Sequence, residues 1–598
     1  MSHLNITGYM SESYWEQANR YLIRKMLICF FYEKIILPEV YNLNNYELNL
    51  DEQGISYTFS ATPYWMEYLD IEINSIKKTK NGKNVNLDAL LFILELKDKL
   101  IINEKVLPIY LDELIATLNS MTYKLQANKL NSKELAHANY QTVEASMNEG
   151  FPLMIANYGR HGFDSIDYFK YSPECAEKQQ VLWIAVHKRK AKFSSISSIS
   201  YQQLIESELS SQLIEKFREI IDKNAVLNDD YYWMPVHQWQ WREKISTRFT
   251  PDIAAKQIIF LGLGDDHYLA QQSVRTLYNV SHPEKCYVKT ALSVINTGFI
   301  RTLSPISMEL SPMACEWVDA LIRQDPYFSE KGFRLIKEIA TISYRDSRIE
   351  DVFNDEQHAE HPYKGMLSCL WRESIVDKIA ENQKTITMAS MLHIDKNGNA
   401  FLTELIQDSG LSVTEWINRY LDIYFSPLLH AFFCYDLIFM PHGENVILVL
   451  ENNQPVHVFM KDLGEEIKFL NAKIEIPESL LRLSIKVDDD LKVDYIFNDV
   501  FNGIFRFLVP ILNKAFLFSE QQFWGLVKKK IVNYQERYPE FADKYHRYNL
   551  FKPDIPLMCL NLMQLKNNSE IVDYDNRVQE MKTTQRLCNP LFLLKQEG

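Results

Sequence analysis

Phe439-Met440-Pro441-His442-Gly443-Glu444-Asn445-Val446-Ile447-Leu448-Val449-Leu450 runs into Glu451-Asn452-Asn453-Gln454-Pro455 and then Val456-His457-Val458-Phe459-Met460-Lys461-Asp462-Leu463-Gly464. Two apolar, β-branched runs flank a polar turn that holds Asn452 and Asn453, which is the pattern of a β-hairpin. A hairpin brings its ends together. His442, Glu444 and Asn445 at the entrance should therefore meet Lys461 and Asp462 at the exit, beside a glycine, Gly443, that lets a ligand approach the backbone. An imidazole, an amide, an ammonium and a carboxylate at one end of a short sheet suit a nucleotide with its Mg²⁺. The amide and imidazole would bind phosphate oxygens and the carboxylate the metal. Read from spacing alone, the same polar ends also fit an ordinary solvated surface hairpin.

The chain around this hairpin has 598 residues, too many for one hydrophobic core, so roughly two to four domains are expected. Hydrophobic residues make up 46% and charged residues 24%, an ordinary globular balance, and 18 glycines with 13% aromatics exclude a fibrous or disordered chain. A net charge of −14 argues against nucleic acid as a partner, since the densest basic patch is only Lys188-Arg189-Lys190-Ala191-Lys192. An anionic substrate would need a local basic pocket. The eight cysteines are scattered without a C-x-x-C pair, so they read as buried free thiols of a reducing cytoplasm rather than as a zinc or redox site. No secretory signal is evident. The strongest apolar stretch, Leu428 to Met440, contains His430 and Asp436, so no membrane span is expected.

Taken in order, Ser13-Tyr14-Trp15-Glu16 has capping-box spacing before a helical pattern, and extended segments follow to about Ser60. Asn86 to Lys105, Leu111 to Gln126 and Ser132 to Met147 read as helices. A loop with Gly150, Gly159 and Gly162 carries Arg160, which can bind an anion with backbone N–H groups. Val181 to Val186 reads as a buried strand, and His237, among three tryptophans, as a hydrogen-bonded core residue. Ser273, Arg275 and Thr276 offer two hydroxyls and one bidentate cation for phosphates. Lys289 lies in a strand-like alternation, where an inward lysine is costly unless it meets an anion. Phe333 to Ile342 and Lys364 to Glu381 read as helical or mixed, and Leu411 to Met440 as a long apolar helix that delivers the chain to His442.

These motifs, in this order, resemble the siderophore synthetases that work without a peptide-synthetase assembly line, the IucA/IucC or aerobactin-synthetase-like family. The resemblance runs from about residue 145 to 520 and rests on Gly150 to Phe163, Ser273 to Thr276, Lys289 to Arg301, Met-Pro-His-Gly-Glu-Asn at 440–445 and Lys-Asp-Leu-Gly-Glu-Glu at 461–466. It implies an α+β chain shaped as a cupped hand. Its parts would be a mostly helical thumb-like region (1–145), a mixed fingers-like region (146–385) and a palm-like region (386–598) that carries the hairpin. It implies adenylation of a polycarboxylic acid such as citrate by ATP with Mg²⁺, then condensation with an amine or hydroxyl, in a cytoplasmic enzyme that forms a monomer or a homodimer. The implied nucleotide set is Ser273, Arg275, Thr276, Lys289, Arg301, His442, Glu444 and Asn445, with Asp462 on the metal. Arg160, Lys289 and Arg301 are the implied catalytic cations, and Arg160 and Arg301 also meet the acid. The chain departs from the family at Phe151 and Met154, where the family has His, and at Tyr158, where it has Lys. Two alternatives stand beside this expectation: a γ-phosphoryl transferase, and a non-catalytic relative that binds nucleotide or polycarboxylate.

Overall fold

Asn452 and Asn453 both take positive φ, 49° and 60°, as a tight two-residue turn demands. Val446–Glu451 pairs antiparallel with Gln454–Met460, from Glu451↔Gln454 at the turn to Val446↔Met460 at the open end. In this computed structural model, residues 8–596 are described except 101, 128–129, 225, 353–360, 472 and 568–584. The hairpin is the centre of a four-stranded sheet, flanked by Gln383–Thr387 and, in parallel, by Phe333–Leu335.

Two residues beyond Phe333–Leu335 the chain enters a second sheet. Its six strands run in the order Tyr268–Ala270, Thr276–Asn279, Tyr287–Thr290, Ser368–Arg372, Glu338–Tyr344 and Ala191–Ser195. The Ile336 N–H donates to the Met460 carbonyl at 2.9 Å. This short passage ties the hairpin exit to the ends of the Glu338, Arg372 and Lys289 strands, and the candidate site forms at that junction.

Burial explains why these strands are hard to recognise from sequence. Glu338–Tyr344 and Ser368–Arg372 are buried at every position, so neither shows the alternation that marks a half-exposed strand. Phe333 to Ile342 therefore holds strands rather than a helix, while Lys364 to Glu381 is mixed, with the strand Ser368–Arg372 followed by the short helical turn Val376–Lys378. In the first region, helices Glu12–Tyr32 and Leu107–Ala127 accompany a six-stranded sheet that spans residues 39–85 and extends beyond Ser60. The first helix is capped by Ser11, whose hydroxyl accepts from the Tyr14 N–H at 3.2 Å, two residues before the predicted cap. Asn86 to Lys105 shortens to helices Ala89–Glu95 and Lys97–Leu100. Ser132 to Met147 divides into Ser132–Leu135 and Tyr140–Ser146, because Asn131 and Asn139 each cap a new helix.

One apolar core includes Leu22 and Met26 of the first helix together with Phe432 and Leu591, so both ends of the described chain contribute to it. A second gathers Trp183, Phe217, Trp233 and Trp371 against the six-stranded sheet. Asp489–Phe516 is the one helical run among the described residues long and apolar enough to cross a membrane, and 72% of its apolar window is buried inside the protein. All eight cysteines are free; Cys588 is exposed and the others are buried or half-buried.

Candidate functional site

At the floor of the sheet junction lies Lys289. It is 5% exposed and sits in Tyr287–Thr290 with Thr276 as its cross-strand partner. Its Nζ donates to Asp462 Oδ1 at 2.7 Å and approaches Glu465 Oε2 at 3.5 Å. Lys289 thus faces inward, and the anions that this requires are carboxylates of the protein. Arg372 Nη2 bonds the same Asp462 oxygen and lies 3.5 Å from Glu338 Oε1. Burial works against charge on the Asp462 carboxyl, but Arg372, Lys289 and Lys461 outweigh it and hold that carboxyl well below the ordinary carboxylate range. Asp462 adopts φ 59°, a left-handed conformation unusual for a residue with a side chain. The turn it makes brings Gly464 N–H to Glu338 Oε2 at 3.2 Å. A Cβ on Gly464 would stand 2.2 Å from Ser311 Oγ, so only glycine fits this turn.

The hairpin entrance forms the facing wall. His442, Glu444, Lys461, Asp462, Glu465 and Glu466 are half-buried, while Asn445 is buried. Asn445 Nδ2 donates to the Met440 carbonyl at 3.1 Å and to Glu466 Oε2. Burial, then the nearby Asp462 charge, pushes the Glu466 carboxyl well above its usual range. Burial lowers His442 to about 4, so its ring is neutral at physiological pH. Its Nδ1 accepts from the Glu444 N–H at 3.3 Å, which places the ring proton on Nε2 as a donor. Burial also raises Glu444, partly offset by Lys461 and Arg301.

Gly443 plays a different part from the one expected. A Cβ there would meet the Ala389 backbone at 2.9 Å, and the Gly443 carbonyl accepts from the Ala389 N–H at 2.9 Å. The close approach is to the protein's own chain. Gly150 serves similarly, since a Cβ would stand 2.3 Å from Glu444 Oε1.

The remaining basic residues come from the strand edge. Arg275 is half-buried, bonds the Thr302 carbonyl and acts electrostatically on Lys289. Ser273 Oγ donates to Thr276 Oγ1 at 2.8 Å. Arg301, in Phe299–Arg301, bonds Thr297 Oγ1, and its charge reaches His442 and Glu444.

Arg160 does not join this group. It is 3% exposed, and its Nη1 donates to Glu174 Oε1 at 2.6 Å. Glu174 also accepts from Ser120 at 2.6 Å and Tyr168 at 3.0 Å, with Lys124 close by. Arg160 therefore acts in a buried ion-pair network, and the anion of its glycine-bearing loop is an internal one. Of the three departures from the family motif, Phe151 stands edge-on to His442 with ring centroids 5.3 Å apart. Met154 is buried at 2% exposure. Tyr158 donates to the Asn148 carbonyl at 2.8 Å and carries the Lys124 ammonium 3.7 Å over its ring.

Arg372, Glu338 and Glu144 were not singled out in the sequence. Arg372 and Glu338 close and open strands that are buried at every position, and a charged residue at the end of a largely apolar run is the available signal. Glu144 reaches the site from helix Tyr140–Ser146, bonding Thr387 and the Gln272 N–H.

The IucA/IucC family profile matches residues 139–393, and the profile described as ferric iron reductase FhuF-like transporter matches residues 414–573. Putrebactin synthase of Shewanella sp. (strain MR-4) is 45% identical over 100% of this chain and 94% of its own length. This chain belongs to the IucA/IucC family. It is an ATP-dependent ligase of siderophore biosynthesis. Rhizobactin siderophore biosynthesis protein RhbF of Rhizobium meliloti (strain 1021) is 29% identical, covering 96% of each chain. Among solved structures, the petrobactin biosynthesis protein AsbB of Bacillus anthracis matches with a TM-score of 0.87 at 24% identity, over 100% of this chain and 99% of its own. Aerobactin synthetase IucC of Klebsiella pneumoniae matches at 0.85 and 23%, over 98% and 100%. These likenesses establish the shared fold of the family.

Proposed function

We propose that the sheet junction is the active site, where a carboxylic acid is activated by ATP and passed to an amine or hydroxyl. The observation that carries this reading is Asp462 held between Lys289 and Arg372 beside His442 and Asn445. That arrangement sets buried cations beside half-buried carboxylates that offer only oxygen ligands. ATP and a carboxylate repel each other, and Arg275, Lys289 and Arg301 offset that repulsion where they meet. Ser273, Thr276 and Asn445 add uncharged donors, Glu444 closes the wall, and His442 donates from Nε2 to oxygen.

The donor set fits Mg²⁺: Asp462, Glu465 and Glu466 supply only carboxylate oxygens, the ligands a hard divalent cation takes. When bound, Mg²⁺ supplies charge neutralisation on the phosphates. In the first step an acid oxygen bonds the α-phosphorus and the bond to the departing pyrophosphate breaks. In the second the nucleophile bonds the acyl carbon, AMP leaves, and the nucleophile gives up its proton. Among the described residues the site holds no paired nucleophile and base for a covalent enzyme intermediate, so positioning and charge carry the catalysis.

The acid is of the citrate class. Relatives are named as a citryl-spermidine/3,4-dihydroxybenzoyl-citryl-spermidine:spermidine ligase of Bacillus anthracis and an N(2)-citryl-N(6)-acetyl-N(6)-hydroxylysine synthase of Vibrio mimicus. Phe151 in place of a hydrogen-bonding residue favours an acid with an apolar or amide-linked arm over free citrate. The enzyme works in the cytoplasm, where ATP is supplied, as a monomer or a homodimer. The test is a screen of carboxylates crossed with amines, followed by product analysis. AMP and pyrophosphate, dependent on both acid and Mg²⁺, are expected. ADP and inorganic phosphate would replace the reading with γ-phosphoryl transfer, and nucleotide binding without turnover on any pair would replace it with a binding protein.

A further inference from the structure

Asp499 lies in Phe497–Phe505, a stretch wound as a π-helix within the longer run Asp489–Phe516. Such wide turns occur often at functional sites. The side of this helix at Gly503 rests on His442, since a Cβ there would stand 3.8 Å from His442 Cβ. Asp499 is four residues earlier, about one turn back on that side. Its charge is felt by the hydroxyls of Tyr424 and Tyr495. Tyr424 donates to the Pro441 carbonyl at 2.6 Å, and Tyr495 lines a small cavity together with Phe439 and Pro441. Asp499 therefore stands behind the hairpin entrance, next to the residues that lead into His442.

Its surroundings differ from those of the other carboxylates at the site. Asp462 and Glu465 are met by Lys289, and Glu466 by Asn445. Asp499 makes no hydrogen bond or ion pair among the described residues. No cation acts on it, and burial alone raises its carboxyl to about 7. It is nonetheless only half-buried and keeps contact with solvent. A half-buried carboxylate without a partner is partly desolvated at a cost, and a bound cation offsets that cost.

We propose that Asp499 is the subsite for the cationic end of the amine substrate, so that a diamine or polyamine places one ammonium on Asp499 and presents its other nitrogen to the acyl group activated beside His442. This rests on the ligase reading above. An alkylamine has a pKa near that of a lysine, ~10.4, so the distal nitrogen stays protonated at neutral pH and is held by charge. A monoamine of equal length has no group for this subsite. Asp499 at the same time repels a second carboxylate, which keeps acid and amine from exchanging places.

The test compares wild type with Asp499→Asn and Asp499→Glu on three nucleophiles: 1,4-diaminobutane, n-butylamine and hydroxylamine, with citrate, a citrate monoamide and succinate as acids. Hydroxylamine is small and uncharged, so it reports acid activation without using the subsite. In Asp499→Asn the kcat/KM for 1,4-diaminobutane relative to hydroxylamine should fall about ten- to a hundredfold, mostly through KM, and the ratio of n-butylamine to hydroxylamine should stay within about twofold. Asp499→Glu should recover part of the loss. A melting temperature no lower than wild type is expected for Asp499→Asn, because the carboxylate has no hydrogen bond or ion pair among the described residues to lose. If the diamine ratio is unchanged, or the monoamine ratio falls as far, the subsite assignment is wrong while the ligase reading stands. If wild type forms no hydroxamate with any of the acids, the ligase reading fails and the subsite with it.

Discussion

Replacing Arg160 with methionine separates its two conceivable roles, a substrate contact or a structural cation. Burial by itself would raise the Glu174 carboxyl, but Arg160 and Lys124 outweigh it and lower that carboxyl from an ordinary 4.5 to about 2. A shift of that size corresponds to about 3 kcal/mol, which agrees with the ~3–5 kcal/mol measured when one partner of a buried pair is removed. Arg160→Met leaves a wholly buried carboxylate with Ser120, Tyr168 and the more distant Lys124. For a chain of this length unfolding as one unit, ~3 kcal/mol lowers the melting temperature by about 2–3 °C, and by more if a smaller unit unfolds first. Arg160→Met/Glu174→Leu, which removes both charges, should recover most of the loss. The dependence on pH has a definite sign. Between about pH 4.5 and 2 the unfolded chain takes up a proton at Glu174 that the folded chain does not, so this contribution is present above 4.5 and is lost as pH falls through 2. The variant should lose this acid-side sensitivity. Calorimetric melting at several pH values, with pyrophosphate release measured at 20 °C, supplies both readouts. An unchanged melting temperature together with a tenfold higher KM for the acid would refute the structural role and return Arg160 to the substrate.

Asp462→Asn should reduce Mg²⁺-dependent pyrophosphate release about a hundredfold, as loss of a buried charge pair of ~3 kcal/mol implies; wild-type release would remove Asp462 from the metal site. Lys289→Met and Arg275→Ala should each raise the ATP requirement or lower turnover about ten- to a hundredfold, for ~1.5–3 kcal/mol per lost charge-assisted contact. Steady-state kinetics at limiting ATP would show it, and unchanged kinetics would exclude phosphate contact. Phe151→His places a donor beside His442 and should shift preference from a citrate monoamide toward free citrate by ~1–3 kcal/mol, about five- to a hundredfold. Competition between the two acids measures it, and an unaltered preference would make Phe151 a packing residue.

The sequence by itself determined the hairpin, its turn and the meeting of His442, Asn445, Lys461 and Asp462. Those features are local: two apolar runs joined by Asn452 and Asn453 fix the register, and register fixes which ends meet. For Lys289 it set only the condition that an inward ammonium requires an anion, and left the facing open. Only the tertiary structure decided which anion. Asp462 is 173 residues from Lys289 and 90 from Arg372, and no local pattern encodes a contact made through the junction of two sheets. The same holds for Gly443 and Gly150, whose missing side chains make room for Ala389 and Glu444. Arg160 gives the clearest contrast. Its loop has the composition of an anion site, and its anion, Glu174, is only 14 residues away. A charged side chain reads alike in sequence whether it faces solvent, substrate or a buried partner. What separates these cases is desolvation, and that is set by the residues packed around it in the folded chain.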